Sequence, residues 1–213
     1  MKIVQIPNGV FVENSYLVID EQTRLCVIID PGQEPGLILH QMEEAGAQPA
    51  AIWLTHAHVD HLLGVPEIMD RTGAMVWLHP ADRPLYDAAP EQAARFGLVL
   101  TEGLPAPDRD LVAGQQLQVG DLRFEVRHAP GHSPGSVCFV GQGVVFTGDV
   151  LFAGSIGRTD LPGADFETLI ASIERELLPL PDDTIVYSGH GPETTIGRER
   201  QTNPFLTRVD RSA

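Results

Sequence analysis

The chain has 213 residues, with 29 Asp or Glu against 14 Lys or Arg and a formal net charge of −15. A chain so acidic is repelled by nucleic acid and by anionic membrane surfaces, and no Lys/Arg cluster provides a local exception. Hydrophobic residues make up 43%, yet no apolar run approaches the roughly 20 residues that span a bilayer. The expectation is therefore one cytoplasmic globular domain over residues 1–213.

The first segments predict strands at 3–6, 15–19 and 25–29, which are β-branched and apolar and are separated by Asn8-Gly9 and Asp20-Glu21. Asp30-Pro31-Gly32 ends the third. Residues 34–45 predict a helix, with Ile38, Met42 and Ala45 on one face and Gly46 as its stop. A short buried strand follows at 50–54, then helical spacing over 61–71 (Leu62, Val65, Met69), then a strand at 74–78. From 81 to 110 the chain is rich in Pro, Ala and Asp, which predicts a short helix and a long loop. Strands return at 116–119, 122–126, 136–140 and 144–147. Residues 165–178 predict the clearest helix, with Phe166, Leu169, Ile170, Ile173 and Leu177 aligned and Pro179 ending it. A strand at 184–188 and a short helix at 196–201 complete a pattern of strands then helices, twice over. Cys26 and Cys138 lie inside apolar strands and read as buried reduced thiols.

The eight histidines are the unusual feature. Thr55-His56-Ala57-His58-Val59-Asp60-His61 follows the buried strand Ile52-Trp53-Leu54 directly. Three imidazoles and a carboxylate packed against a core strand would be desolvated without return unless they bind something. These donors suit Zn, Fe, Mn or Ni. The alternating spacing points His56 and His58 the same way, while Asp60 and His61 begin a turn, so the segment can feed two adjacent metals. Three further candidates stand at strand ends, each preceded by a glycine that permits a sharp turn: Gly131-His132, Gly148-Asp149 and Gly189-His190. His40, His79 and His128 fall outside this pattern, although His79, just past a strand, could line a pocket.

His-x-His-x-Asp-His with the later His132, Asp149 and His190 resembles the metallo-β-lactamase superfamily, and within it the glyoxalase II-like branch of hydroxyacylglutathione hydrolases and their single-domain relatives. The likeness extends through Ile29-Asp30-Pro31-Gly32, Gly131-His132-Ser133-Pro134-Gly135, Gly157-Arg158-Thr159-Asp160 and Gly189-His190-Gly191-Pro192. It implies an α/β fold, a four-layer αββα sandwich with two mixed β-sheets and the metals at one edge. It also implies two divalent ions, zinc foremost with iron or manganese compatible, one on His56, His58 and His132 and the other on Asp60, His61 and His190, with Asp149 bridging. Asp30 is either an acceptor orienting a ligand histidine or a turn-forming residue before Pro31. Arg158 either meets a substrate carboxylate or pairs locally with Asp160 or Asp165.

A water shared by two such ions loses its proton near neutral pH. With His56, His58, Asp60 and Asp149 around it, the resulting hydroxide can attack a carbonyl, so neither Ser nor Cys is needed as nucleophile. The resemblance favours small acyl thioesters such as S-D-lactoylglutathione. Against a full match, the chain runs only about two dozen residues past His190 and has one lysine and three tyrosines, so the basic and aromatic glutathione-holding groups of the two-domain enzymes are scarce. A mononuclear iron persulfide dioxygenase-like oxidoreductase and a lactonase-type hydrolase are the alternatives. The first is weakened by Ile156, which stands before Gly157 where that branch leads one to expect cysteine. A secreted β-lactamase is disfavoured by the lack of an export signal, and a nuclease by the charge.

Overall fold

The computed structural model describes residues 1–100 and 103–207. Residues 101–102 of the long middle segment, and 208–213 at the end of the expected domain, lie outside the described residues. The first half runs β1 (Lys2–Asn8), β2 (Glu13–Ile19), β3 (Leu25–Ile29), α1 (Pro35–Glu44), β4 (Gln48–Trp53), α2 (Val65–Thr72), β5 (Met75–Leu78), α3 (Arg83–Asp87), α4 (Ala89–Arg95) and β6 (Arg109–Asp110). The second runs β7 (Gln116–Val119), β8 (Leu122–His128), β9 (Val137–Gly141), β10 (Val144–Gly148), β11 (Leu151–Phe152), β12 (Ser155–Ile156), α5 (Phe166–Ser172), β13 (Ile185–Ser188), β14 (Thr194–Thr195), α6 (Ile196–Thr202) and α7 (Pro204–Thr207). The first six strands form one sheet in chain order. The second sheet has the order β14-β13-β10-β9-β8-β7, and β11 pairs with β12 alone.

Both sheets are mixed. β3, β4, β5 and β6 run parallel, joined by helical crossovers, whereas β1 to β3 are antiparallel. In the second sheet β10 and β13 are parallel. Alternation along the strands builds the layers. Tyr16, Val18, Val27, Ile29, Trp53, Phe124, Phe139 and Phe146 face the space between the sheets. Their neighbours Leu17, Ile19, Cys26 and Ile28 pack outward on Ile38, Met42, Val65 and Ile68 of α1 and α2. On the far side Cys138, Val145 and Val186 pack on Leu169, Ile170 and Ile173. Strands covered on both faces have to be apolar throughout, which is why 25–29 and 144–147 read so clearly from sequence. The result is the expected αββα sandwich.

The structure departs from the predicted elements where the chain serves the site. Helical spacing over 61–71 predicts one helix, but a single 3₁₀ turn covers Val59–His61 and α2 starts at Val65. Gly64 donates to the Pro31 carbonyl at 2.9 Å, and a Cβ at Gly64 would press on the Gly32 carbonyl, so the segment is held against that turn before the helix can begin. Residues 81–110 hold two short helices and the edge strand β6. α5 is capped by Asp165, which accepts from the Thr168 N–H, and its last turn widens to a π turn over Ile173–Leu177. The β11–β12 hairpin has only two residues per strand, too short for a periodic signal.

Candidate metal centre

The carboxyl ends of β3, β4 and β5 in one sheet and of β10 and β13 in the other meet at one edge of the sandwich, the usual place for a site in parallel sheets. Four of these ends deliver a site residue: Asp30 after β3, His56 to His61 after β4, Asp149 after β10 and His190 after β13. The β8–β9 connection delivers His132.

Two sets of three donors come together there. The ligand atoms of His56, His58 and His132 lie within 4.8 Å of one another, as do those of Asp60, His61 and His190. Asp149 stands between the sets. Its Oδ2 is 3.6 Å from Nε2 of both His132 and His190, and its Oδ1 is 3.4 Å from Nε2 of His61. The His58 Nδ1 and His132 Nε2 atoms converge to 2.8 Å, and Asp60 Oδ2 lies 3.3 Å from His190 Nε2.

Neighbouring groups define which nitrogens are free. The Thr55 N–H donates to Asp30 Oδ1 at 2.7 Å and its hydroxyl to Asp30 Oδ2 at 2.5 Å. With that proton committed, the hydroxyl accepts Nδ1–H of His56 at 3.0 Å. His61 Nδ1–H donates to Asp30 Oδ2 at 3.1 Å, and His132 Nδ1–H to the Arg158 carbonyl at 2.9 Å. Each ring thereby has Nδ1 engaged and turns Nε2 toward the centre. Asp30 itself stands at φ +49° in the turn before Pro31, with its Oδ2 facing His61 Nδ1. Nε2 of His56, Nε2 of His61 and Oδ1 of Asp149 are buried with no hydrogen-bond partner among the described residues. Buried lone pairs left in this way fit a cation.

Electrostatics point the same way for His56, His58 and the two carboxylates. Burial, then the neighbouring His132, pulls His58 down to about 3. Burial, then His61 and His58, holds His56 well below the usual imidazole range. Burial works to raise Asp149, but His61, His132 and His190 outweigh it and keep the carboxyl well below its ordinary value. Asp60 is depressed, because His61 and His190 outweigh its burial. Neutral imidazoles and ionised carboxylates are the forms that ligate metal. His61 and His190 shift the other way: burial lowers both, but Asp60 and Asp149 outweigh it and raise them above the usual imidazole range, so a metal binding there would displace protons.

The remaining candidates are placed as follows. The Arg158 guanidinium forks onto Asp160 at 2.7 and 2.8 Å, the local pair, while its carbonyl holds His132. His79 stacks on His128 with ring centroids 4.1 Å apart and is not among the residues lining the cavity. His40 is on the surface beside Glu44. Three bracing residues escaped the sequence reading. Asp82 Oδ2 accepts from Ala57 N–H at 2.9 Å and Ser133 Oγ at 2.7 Å, and its Oδ1 accepts from Gly135 N–H at 2.6 Å, tying the His56–His58 loop to the His132 loop. Asn14 donates through Nδ2 to the Ser188 and Gly191 carbonyls at 3.0 and 2.9 Å, holding the His190 turn. Gln92 of α4 accepts from Val59 N–H and donates to the Ala57 carbonyl, at 3.2 and 3.1 Å. Asp82 lies two residues after Pro80, in the Pro-, Ala- and Asp-rich stretch.

The donors open onto a cavity of about 450 Å³, with His58, Asp60, His132, Asp149 and His190 on its floor and Phe11, Phe96, Phe152, Ile156, Leu161 and Pro162 among its walls.

The sequence pattern of the metallo-beta-lactamase superfamily matches residues 8–190, and the chain belongs to that superfamily. Hydroxyacylglutathione hydrolase GloC of Haemophilus influenzae is 42% identical over 210 residues, 97% of this chain and 98% of that one. Among solved structures, the BLEG-1 B3 metallo-beta-lactamase superposes with a TM-score of 0.88 at 42% identity, over 97% of this chain and all of that one. TTHA1623 in a di-iron-bound form gives a TM-score of 0.88 at 46% identity, over 95% of this chain and all of that one.

Proposed function

We propose that the protein is a metallohydrolase of small acyl thioesters, S-D-lactoylglutathione among them. It would hold one divalent ion on His56, His58 and His132 and a second on Asp60, His61 and His190, with Asp149 between them. Zinc is the expected metal, and the di-iron relative makes iron the next choice. The observation that carries the reading is the convergence of seven donors, several buried and unpaired, five of which line the floor of a cavity large enough for a small organic substrate. The GloC likeness over nearly the whole chain supports the choice of thioester.

When bound, such ions supply Lewis acidity and bring the pKa of a water at the site to about 7. The protein's own groups supply the rest. Asp30, Thr55 and the Arg158 carbonyl hold three imidazoles in one tautomer and one orientation. Asp60, half-buried and ionised, reaches the cavity floor, where it can orient the attacking water and accept its proton. The apolar walls exclude bulk water around the acyl carbonyl. Thiolate is a good leaving group, so no dedicated acid is required on that side. A cysteine nucleophile is not in play, since Cys26 and Cys138 are buried in the two helix-facing layers.

The test is a panel of thioesters, lactones and β-lactams on protein of measured metal content. Metal-dependent thioester turnover, abolished in His58→Ala, is the expected result. Turnover of another class without thioesterase activity overturns the assignment. The BLEG-1 likeness gives β-lactams a specific place in that panel. Oxygen uptake by iron-loaded protein with glutathione persulfide would instead establish the dioxygenase alternative.

A further inference from the structure

The cavity is walled mainly by apolar side chains, yet two arginines border it, Arg95 and Arg158. They differ in one respect that decides their use. Arg158 is committed to Asp160 through two hydrogen bonds. Arg95, the last residue of α4, is exposed and has no hydrogen bond or ion pair among the described residues. Next to it, Phe96 meets Phe11 of the β1–β2 turn edge-to-face, with ring centroids 5.1 Å apart and planes at 83°. Both rings line the cavity while remaining partly open to solvent, 36% for Phe11 and 53% for Phe96. This corner is held in fixed relation to the metal centre. Gln92, one turn before Arg95 on α4, bonds both backbone groups that flank His58, the Ala57 carbonyl and the Val59 N–H.

We propose that Arg95 with the Phe11–Phe96 pair forms the subsite for the thiol half of the substrate, and that the preferred substrates are thioesters of carboxylate-bearing thiols. The inference rests on the thioester reading. The acyl carbonyl sits over His58, His132 and Asp149, the thiol chain runs along the two rings, and its carboxylate ends on the guanidinium. That fork matches a carboxylate geometrically. In a chain of net charge −15, an uncommitted cation at the rim also supplies local attraction for an anion that the overall charge repels.

The experiment measures binding of a thioether that cannot be hydrolysed, so it does not depend on turnover. S-Hexylglutathione and its diethyl ester are titrated calorimetrically into zinc-loaded wild type, Arg95→Gln, Arg95→Lys and the remote control Arg71→Gln. Loss of one charged hydrogen-bonded contact predicts that Arg95→Gln weakens the free acid about tenfold and the diester less than twofold. Arg95→Lys should recover part of the loss, and Arg71→Gln should match wild type. Equal weakening of both ligands, no weakening, or failure of wild type to bind the acid overturns the subsite. In parallel, KM for S-lactoylglutathione should rise in Arg95→Gln with kcat nearly unchanged. Arg95-dependent binding without any thioester turnover would remove the proposed function and leave the anion subsite. Turnover indifferent to Arg95 would do the reverse.

Discussion

Asp82 offers the sharpest test of how the centre is held together. It is fully buried on the turn after β5, remote in sequence from every ligand, yet it accepts hydrogen bonds of 2.9, 2.7 and 2.6 Å from Ala57, Ser133 and Gly135. Asp82→Asn keeps the volume but replaces one acceptor oxygen by an NH₂ group that must face an existing donor. Each buried donor left without an acceptor costs about 1–3 kcal/mol. Burial also pushes the Asp82 carboxyl above its ordinary value, so the amide recovers part of that by removing a desolvated charge. The net expectation is a loss of about 1–2 kcal/mol, measured by urea unfolding of metal-free protein. Because the lost bonds fix the backbones beside His56, His58 and His132, metal affinity measured by chelator competition should fall about 10–100-fold as well. A variant within about 0.5 kcal/mol of wild type and with unchanged metal affinity would refute the bracing role. Asn is chosen over Ala because three orphaned donors would consume much of a typical 5–15 kcal/mol stability.

Asp30→Asn removes an acceptor of His61 Nδ1–H and should lower metal affinity about 10–100-fold while leaving the far-ultraviolet circular dichroism unchanged; undiminished affinity would count against the orienting role. Gly148 has φ +47°, and a Cβ there would collide with Thr55, so Gly148→Ala should destabilise by at least about 1 kcal/mol and weaken metal binding through Asp149. Burial, then the stacked His128, holds His79 down at about 4 against an ordinary 6.5. A depressed imidazole favours its neutral form in the fold, so its contribution is complete above pH 6.5 and is lost as pH falls toward 4. Unfolding curves of wild type and His79→Gln at pH 7 and pH 4 should therefore show the wild-type advantage shrinking by on the order of 2 kcal/mol, and a constant difference would refute the assignment.

How much of this was legible in the sequence depends on the range of the interaction concerned. Strands buried on both faces, such as 25–29 and 144–147, declare themselves by unbroken apolar runs, and α1 by a period and a stop at Gly46. The donors were legible too, because ligation demands particular residue types just past a strand, and Gly131, Gly148 and Gly189 mark the turns. The start of α2 was not. Leu62 and Val65 do continue a helical period, but the contact of Gly64 with Pro31 and Gly32 is tertiary and overrides it. The choice between the two readings of Arg158 depended on where Asp160 would lie, and in the structure the guanidinium pairs with Asp160 while the backbone carbonyl meets His132.

Bracing residues escape sequence reading for a further reason. A ligand histidine is conspicuous because unpartnered imidazoles are costly to bury, whereas Asp82, Asn14 and Gln92 are of common types whose partners are mostly backbone groups. Backbone donors and acceptors have no side-chain identity, so nothing in the sequence marks Ala57 or Gly135 as a partner of position 82. Yet these contacts decide whether the His56–His58 loop of the first sheet and the His132 loop of the second stay within ligating distance, since the three rings come from segments some 75 residues apart that only the fold unites. The donors supply the chemistry of the centre, and carboxamides and carboxylates bonded to backbone supply its geometry. It follows that Asp82→Asn and His58→Ala should both impair metal binding but differ in the metal-free state, where only Asp82→Asn destabilises the fold through lost backbone contacts.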